Sequence, residues 1–583
     1  MWISAFFFLH FAIYTAFRLE FLIWNWASLK VLSDSHQAQA FLHGVRFDLA
    51  ALAAHFGLFV LFLIWLHKPR IAKIFLFFCL TTVSIFLILV NSVDVELVNF
   101  TGRRFSKASA FLINEGHVAN LITPYVGLAV FTFSMLGIYF VAAVYFFRKI
   151  QFQLTLKKKI IFSIILVCTS VLLFRGGFQL KPMSAVEARL FPETMANHLV
   201  LNSTFTLLKS FNKSSIERVH YFEHEKMLQY LNRSAEKQKK FPQFKKENVV
   251  IIILESFSKE YTRLKNPEFT PFLNQLSKEG VLFENSYANA RRSIEGIGAV
   301  LAGIPALMEE PFINSEFSSN EFIGLGQVLT EQGYHTSFFH GAKNGSMHFD
   351  AFAKSAGIQN YYGETEYPES QDNDGTWGIY DGPFLNWACS KMSSFPQPFM
   401  ASVFTLSSHQ PYSIPPAEKN KHPQGSHPIL QSIHYTDQAL KNFFSCARNQ
   451  NWFTNTLFVI TADHAGPSLN TDADFKSKFE IPILFYTADR KKIEGLDFKQ
   501  PAQQIDILPT LLETLHIEQK MVSYLSRSLW HPGPKVIALY SDGVYELAGN
   551  ISDAENQLKA IRQYFSEGLF DNRLYYPAGS STK

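Results

Sequence analysis

Long apolar runs recur along the first 175 residues, and they constrain the fold more than any other feature of the sequence. A helix that crosses a bilayer needs about 20 mostly apolar residues. We predict five membrane-spanning helices, at Trp2 to Leu29, Phe47 to Leu66, Ile71 to Val90, Val126 to Phe147 and Ile160 to Phe174. The first run lacks the basic start and the small-residue cleavage site of a signal peptide. A buried helical core is the alternative, but the short basic loops between the runs favour a membrane.

Basic residues in two of the connecting loops predict the orientation, because basic loops stay on the cytoplasmic side. These loops run from His67 to Lys73 and from Arg148 to Lys159. With five crossings, the N terminus is then inside the cell and everything after Phe174 is outside. We therefore expect a multi-pass protein of the inner (plasma) membrane with a large periplasmic or extracellular part.

Composition divides the chain into three parts. Residues 1–175 form the predicted transmembrane domain, residues 176–240 a connector, and residues 241–583 the extracytoplasmic domain. The connector contains a charged, amphipathic stretch from Ser215 to Lys240, which predicts either helices at the membrane face or a solvated linker.

The overall composition excludes several classes of protein. Hydrophobic residues make up 48% of the chain and charged residues 17%, which excludes a disordered protein. A net charge of +4 gives no support for a nucleic-acid partner. Four cysteines exclude a disulfide-dense scaffold, and only Cys389 and Cys446 lie in the predicted outer domain. The sequence leaves open whether these two are bonded.

From Phe241 the pattern changes to strands that alternate with helices. Continuous apolar runs at Asn248 to Glu255, Phe399 to Leu406 and Thr456 to Asp463 are typical of strands covered on both faces. Helical patterns lie between them, as at Thr270 to Gly280 and Ile433 to Asn449. We therefore predict an α/β domain with a mostly parallel central sheet.

Reactive side chains follow all three of these strands. Glu255 ends the first, Asp463 and His464 end another, and Ser408 and His409 follow the third. Ligands bind beyond the carboxyl ends of strands in open α/β sheets. Carboxylates and imidazoles suit a divalent metal, so Glu255, Asp463 and His464 are predicted metal ligands that leave a coordination position open.

A hydroxyl residue, Ser293, follows Arg291 and Arg292 and opens an apolar helical stretch that contains Gly296 and Gly298. A helix N-terminus stabilises an anion, and a metal lowers the pKa of a bound hydroxyl. Ser293 is therefore a candidate nucleophile as well as an N-cap. Either arginine can hold phosphate oxygens, or it is a solvated neighbour.

Four segments in this order resemble the lipoteichoic acid synthase family, whose catalytic domain has the sulfatase/alkaline-phosphatase-like fold. They are Glu255-Ser-Phe, the Ser293 segment, Ser408-His409-Gln-Pro-Tyr412 and Thr461-Ala-Asp463-His464. The resemblance implies that Glu255, Ser293, Asp463 and His464 hold a metal, that Ser293 is the nucleophile, and that His409 faces the substrate. It further implies a substrate pocket lined by several other residues: His340, Asp350, Trp377, Asp381 and Arg292. The family nucleophile is usually threonine, and this chain has serine.

The activity implied by the resemblance is transfer of phosphoglycerol from phosphatidylglycerol or a related phospholipid to an acceptor hydroxyl on a glycan or a glycerol-phosphate chain. The metal is expected to be Mn²⁺, with Mg²⁺ or Zn²⁺ as alternatives. A phosphoethanolamine transferase acting on lipid A or a glycan has the same layout but usually carries more disulfides. A non-catalytic membrane protein with a sulfatase-like domain is the third reading. A sulfatase is disfavoured because Ser293 is not followed by the x-Pro-x-Arg pattern.

An acidic residue, Asp48, lies at the start of the second predicted span, two residues after Arg46. An ionisable group inside a membrane suggests a functional role, here at a point of lipid access. The alternative is a simple pair of Arg46 and Asp48 near the membrane interface.

Overall fold

The structure is a computed structural model that describes most of the chain as two compact units. The described residues are 2–66, 70–101, 104–106, 126–149, 154–191, 193–211, 216–231, 244–262, 267–470 and 473–577. The first unit, here called the helical unit, consists of Met1–Ser215 and Asn314–Glu321. The second, the α/β unit, consists of Ile216–Ile313 and Phe322–Lys583. The division by composition into residues 1–175, 176–240 and 241–583 stays a prediction.

The helical unit contains long apolar helices. Its helices are α1 (Trp2–Trp24), α2 (Trp26–Leu29), α3 (Asp34–Trp65), α4 (Arg70–Thr101), α5 (Val126–Lys149), α6 (Leu156–Arg175), α7 (Thr194–Val200) and α8 (Ser203–Ser210). Four stretches in the described residues are long and apolar enough to cross a membrane: Ile3–Trp24, Asp34–Trp65, Ile74–Asn99 and Val126–Lys149. These correspond to the first four predicted spans.

Among the described residues, four helices rather than the predicted five are long and apolar enough to span a membrane, so the orientation that rests on five crossings stays a prediction. The fifth run, Ile160 to Phe174, does lie in a helix, α6, but that helix begins with Lys157, Lys158 and Lys159. The lysines leave an apolar stretch shorter than the roughly 20 residues that a span needs. Parts of both basic loops, residues 67–69 and 150–153, lie outside the described residues, as do residues 192, 212–215 and 232–240 of the predicted connector.

Asp48 has a buried ion pair, but its partner is not Arg46. The Arg18 guanidinium lies 2.6 Å from the Asp48 carboxylate, which also accepts a hydrogen bond of 2.9 Å from the Asn202 amide. Arg18 donates in addition to the carbonyl of Val200, the last residue of α7. Arg46 instead lies 3.7 Å from Glu187. Asp48 therefore compensates an arginine that holds the end of α7, and its role at a point of lipid access stays a prediction.

The α/β unit is organised around a seven-stranded sheet. Its helices are α9 (His224–Tyr230), α10 (Pro271–Glu279), α11 (Ser293–Ala302), α12 (Leu325–Glu331), α13 (Phe349–Ser355), α14 (Asp381–Met392), α15 (Ile429–Arg448), α16 (Ile507–Thr514) and α17 (Ala554–Phe570). Its strands are β1 (Asn248–Leu254), β2 (Val281–Leu282), β3 (Asn285–Tyr287), β4 (His335–His340), β5 (Asn360–Tyr362), β6 (Phe399–Phe404), β7 (Thr456–Ala462), β8 (Ile483–Thr487), β9 (Pro501–Gln503), β10 (Met521–Val522), β11 (Val536–Ser541), β12 (Val544–Gly549) and β13 (Tyr576–Pro577).

The strand order of the main sheet is β2-β8-β7-β1-β6-β4-β5. The five strands from β7 to β5 are parallel, and β8 runs antiparallel to β7. Every residue of β1, β6 and β7 is buried, as expected of strands that are covered on both faces. The predicted α/β fold with a mostly parallel sheet is therefore confirmed, and the three apolar runs are its central strands.

A disulfide joins two helices of the α/β unit. It links Cys389 of α14 to Cys446 of α15, with the two Cα atoms 6.4 Å apart. The question that the sequence left open is thereby answered, since these two cysteines are bonded.

Candidate metal centre

Two adjacent strands bring two acidic residues side by side. Strands β1 and β7 are paired in parallel register, with Leu254 opposite Ala462. The next residues, Glu255 and Asp463, therefore leave the same edge of the sheet together, and both are fully buried. With His464 they form a cluster whose ligand atoms all lie within 4.8 Å of one another.

The Ser293 hydroxyl joins this cluster from a different element. Ser293 is the first residue of α11, and its Oγ lies 3.1 Å from Glu255 Oε2 and 3.5 Å from His464 Nε2. The side chain of Glu295 accepts the backbone N–H groups of Arg291 and Arg292 and so caps this end of the helix. The structure thus brings together all four side chains that the sequence predicted to converge.

The orientation of the cluster suits a divalent cation. His464 Nδ1 lies 2.9 Å from the Ala465 carbonyl oxygen, so it carries the proton, and the lone pair of Nε2 faces the acids. Asp463 Oδ1 accepts the N–H groups of Ser256 and His464, whereas the buried Oδ2 has no hydrogen-bond partner and lies 3.3 Å from His464 Nε2. Burial, followed by the charge of Asp463, raises the pKa of Glu255 well above its usual range. A bound cation compensates two buried carboxylates, so these residues fit a metal.

His409 and Trp377 lie together on two loops. His409 follows β6, and its ring centroid is 3.9 Å from that of Trp377. The Trp377 indole N–H donates to the Gln410 carbonyl at 2.6 Å. The Asp374 carboxylate accepts the three successive backbone N–H groups from Thr376 to Gly378. Burial and then the charge of Glu255 raise the pKa of Tyr412, which follows His409 in the same loop.

Asp381 holds the loop that follows β6 and contains His409. It is buried at the start of α14, and its carboxylate accepts the N–H groups of Leu406 and Ser407 and the hydroxyl of Thr436. Burial raises its pKa. Because these bonds occupy both oxygens, Asp381 positions the His409 loop in this structure and does not present a free carboxylate to a ligand.

The remaining predicted residues have their own contacts. His340, at the end of β4, lies 3.1 Å from the Tyr361 hydroxyl, and burial lowers its pKa to about 3, so the ring is neutral. Asp350 accepts the N–H of Ala351 in α13. The Arg292 guanidinium donates to Glu295 and to the Glu309 carbonyl. As predicted substrate contacts, these three stay hypotheses.

Sequence reasoning missed three residues that hold the cluster in place. Ser256 has a φ of 57° and donates its hydroxyl to Glu255 at 2.7 Å. Gln504 and Asn289 connect the strand end to the segment before α11. The position of Ser256 next to the predicted ligand Glu255 is a signal that the sequence contains, whereas no local pattern in the sequence singles out Gln504 or Asn289.

Comparison with known proteins gives one matching family model and several curated relatives. Residues 247–517 match the Sulfatase family. The lipoteichoic acid synthase-like protein YvgJ of Bacillus subtilis is 25% identical over 313 residues, which cover 48% of this chain and 49% of that protein. The lipoteichoic acid synthase of Staphylococcus saprophyticus is 27% identical over 323 residues, which cover 51% of this chain and 49% of that protein. The chain thus spans about half the length of the relatives that it matches.

A solved structure shares the fold over 61% of this chain. A protein in the alkaline phosphatase superfamily from Vibrio parahaemolyticus superposes with a TM-score of 0.53 at 24% identity, and the match covers 61% of this chain and 98% of that one. Residues 247–517 of the chain therefore match the Sulfatase family, and about half of the chain is similar to lipoteichoic acid synthases.

Proposed function

We propose that the protein is a metal-dependent phosphoglycerol transferase that moves the headgroup of phosphatidylglycerol to an acceptor hydroxyl through a covalent serine intermediate. The observation that carries the proposal is the position of the Ser293 hydroxyl, 3.1 Å from Glu255 and 3.5 Å from His464 at the start of a helix. A hydroxyl at this place has neighbouring proton acceptors and a helix N-terminus to stabilise negative charge. The similarity to lipoteichoic acid synthases supports transfer of a phosphate-linked group.

Glu255, Ser293, Asp463 and His464 would hold the metal, and Mn²⁺ is our first choice among Mn²⁺, Mg²⁺ and Zn²⁺. Such an ion lowers the pKa of a hydroxyl and stabilises charge on phosphoryl oxygens. The unpartnered Oδ2 of Asp463 and the lone pair of His464 Nε2, which faces the two carboxylates, support this assignment.

The side chains account for a double displacement. In the first half, Ser293 Oγ forms a bond to phosphorus, and the bond from phosphorus to the diacylglycerol oxygen breaks. The Ser293 proton passes to one of the acceptors beside it, and His409 supplies a proton to the departing diacylglycerol. In the second half the acceptor hydroxyl gives its proton to His409 and its oxygen forms a bond to phosphorus, while the bond from phosphorus to Ser293 Oγ breaks. The group that took the Ser293 proton returns it, which restores the Ser293 hydroxyl.

The helical unit fits a lipid donor, because both phosphatidylglycerol and the diacylglycerol product stay in the bilayer. Its four long apolar stretches would keep the enzyme in the plasma membrane. The Cys389–Cys446 disulfide supports a periplasmic or extracellular place for residues 241–583, since disulfides persist in oxidising compartments. A glycan or a glycerol-phosphate chain is the proposed acceptor.

The test uses the purified full chain in lipid nanodiscs with Mn²⁺ and phosphatidylglycerol labelled in its headgroup. We expect release of diacylglycerol and a phosphoglycerol adduct on the peptide that contains Ser293, detected by mass spectrometry. Ser293→Ala should abolish both products, while Ser293→Thr, which keeps a hydroxyl, should retain measurable transfer. Phosphatidylethanolamine in a parallel reaction reports on the alternative headgroup. Full activity of Ser293→Ala would refute the covalent mechanism, and turnover of phosphatidylethanolamine alone would refute the glycerol assignment.

A further inference from the structure

The candidate metal centre is assembled from two parts that the central sheet does not itself join. The pairing of β1 with β7 fixes Glu255 relative to Asp463. Ser293 lies on α11, which is outside the sheet. Some other contact must therefore set the distance between the Ser293 hydroxyl and the carboxylates, and it has to be rigid, because small displacements of reacting groups are costly.

The side chain of Gln504 makes that connection with a single amide. Gln504 is fully buried, and its Nε2 donates to the carbonyls of Ala462 and Asp463, both at 2.7 Å. Its Oε1 accepts the backbone N–H of Asn289, also at 2.7 Å. Asn289 lies four residues before Ser293. One planar group therefore spans the end of the metal-ligand strand and the segment that leads into α11.

Asn289 reinforces the connection from the other side. Its Nδ2 donates to the Gln503 side chain at 2.8 Å, and its Oδ1 accepts the N–H of Ile505 at 3.1 Å. The backbone around Gln504 and the segment before Ser293 are thus held by bonds in both directions. Every atom that forms these bonds is buried, where an unmade hydrogen bond is most costly.

A buried ion pair fixes the segment that carries Gln504. Asp506 accepts the N–H groups of Gln503 and Arg527 and lies 2.6 Å from the ammonium group of Lys535. Both charged side chains are almost inaccessible to solvent. The amide of Gln504 is consequently held in one orientation before any ligand is bound, which is the condition for a positioning group.

We propose that Gln504 is a positioning residue that aligns Ser293 with Asp463 and His464, so that the serine hydroxyl completes the metal centre. Gln504 touches neither metal nor substrate and acts through the carbonyls of the ligand strand and the backbone of Asn289. The inference rests on the proposed function for its effect on catalysis, but its effect on metal affinity is measured separately.

The experiment is a double-mutant cycle read out by Mn²⁺ affinity, with calorimetric titration of the full chain in detergent. In the native chain, Ser293→Ala should weaken Mn²⁺ binding because a ligand is lost. Gln504→Met should weaken it by about 10- to 100-fold, the usual cost of removing an outer-shell partner. In the Gln504→Met background, Ser293→Ala should cost nothing further, because the hydroxyl is already displaced. Losses that multiply, or native affinity in Gln504→Met, would overturn the proposal.

Two further variants separate positioning from stability. Gln557→Met makes the same change at a buried glutamine whose side chain bonds to Ser552 and Asp553, so it should lower thermal stability and leave Mn²⁺ affinity and kcat unchanged. An equal loss of affinity in this control would refute the assignment. If Gln504→Met does not fold, Gln504→Glu keeps the shape of the side chain and loses the amide donors, and it should weaken affinity in the same way.

Kinetics complete the test. Gln504→Met should lower kcat and leave the KM for phosphatidylglycerol unchanged, since the lipid contacts are not altered. A native chain that transfers neither headgroup, but shows the coupled loss of Mn²⁺ affinity, would refute the proposed function and support the positioning role. A native chain that transfers the phosphoglycerol headgroup, but in which the two losses of Mn²⁺ affinity multiply, would support the proposed function and refute the positioning role.

Discussion

The contact between α11 and the end of β7 leaves no space for a side chain at Gly296. A Cβ atom built on Gly296 would lie 2.7 Å from the carbonyl carbon of Asp463 and 2.8 Å from its Cα, with the carbonyl oxygen closer still. Carbon atoms pack best at about 3.5 Å, so Gly296→Ala requires α11 and Asp463 to separate by at least about 0.8 Å, the difference between 3.5 and 2.7 Å. The atoms in the way belong to the backbone of Asp463, which cannot rotate away. Ser293 lies about one turn before Gly296 on the same helix, so a displacement of the helix also moves Ser293.

We expect this displacement to impair the centre more than the fold. A misplacement near 1 Å can cost about 100-fold in rate, while overpacking costs about 1–3 kcal/mol of stability. Gly296→Ala should therefore lower kcat by up to about 100-fold and weaken Mn²⁺ binding, and the chain should stay folded. Transfer from labelled phosphatidylglycerol and calorimetric titration with Mn²⁺ measure the two effects on one preparation.

A matched control lies two residues further along the same helix. A Cβ atom on Gly298 would meet only the Phe352 ring, at 4.0 Å, which is an ordinary contact. Gly298→Ala should keep native activity and stabilise the helix by up to about 1 kcal/mol, because alanine has the higher helix propensity. Equal activity of the two alanine variants would show that the approach of α11 to Asp463 does not set the geometry of the site.

Two other features give predictions of stability. Asp48→Asn removes the partner of the buried Arg18 guanidinium and should destabilise the helical unit by about 3–5 kcal/mol in thermal unfolding, whereas Arg46→Gln, at a partly exposed pair, should cost less than about 1 kcal/mol; equal midpoints would contradict the assigned pairing. Replacing Cys389 and Cys446 by serine opens a loop of 57 residues, for which the chain-entropy relation gives about 4 kcal/mol, and an unchanged denaturant midpoint would show that the disulfide contributes nothing.

The sequence predicted the centre of the fold because burial on both faces leaves a local signature. The continuous apolar runs at β1, β6 and β7 identified the three strands whose ends carry the candidate site. The four clustered side chains followed from their positions at strand ends and at a helix start, together with the family resemblance. The fifth span was wrong because an apolar run and three preceding lysines share one helix.

The remaining features depend on tertiary contacts that have no local pattern. The family resemblance predicted that Asp381 lines the substrate pocket, but its carboxylate accepts hydrogen bonds from the loop after β6. Asp48 was paired in sequence with its neighbour Arg46, yet its partner is 30 residues away on another helix. Gln504 is 42 residues from Ala462, to whose carbonyl it donates, and only the folded chain shows that connection.

The register of β1 against β7 has a consequence for the synthesis of the protein. Glu255 and Asp463 are neighbours in space, but 208 residues separate them along the chain. A nascent chain that has emerged only as far as α15 offers one acid and one hydroxyl, too few to retain a cation. Binding of the proposed metal ion would therefore follow the completion of β7, and the ion would come from the compartment in which that strand pairs with β1.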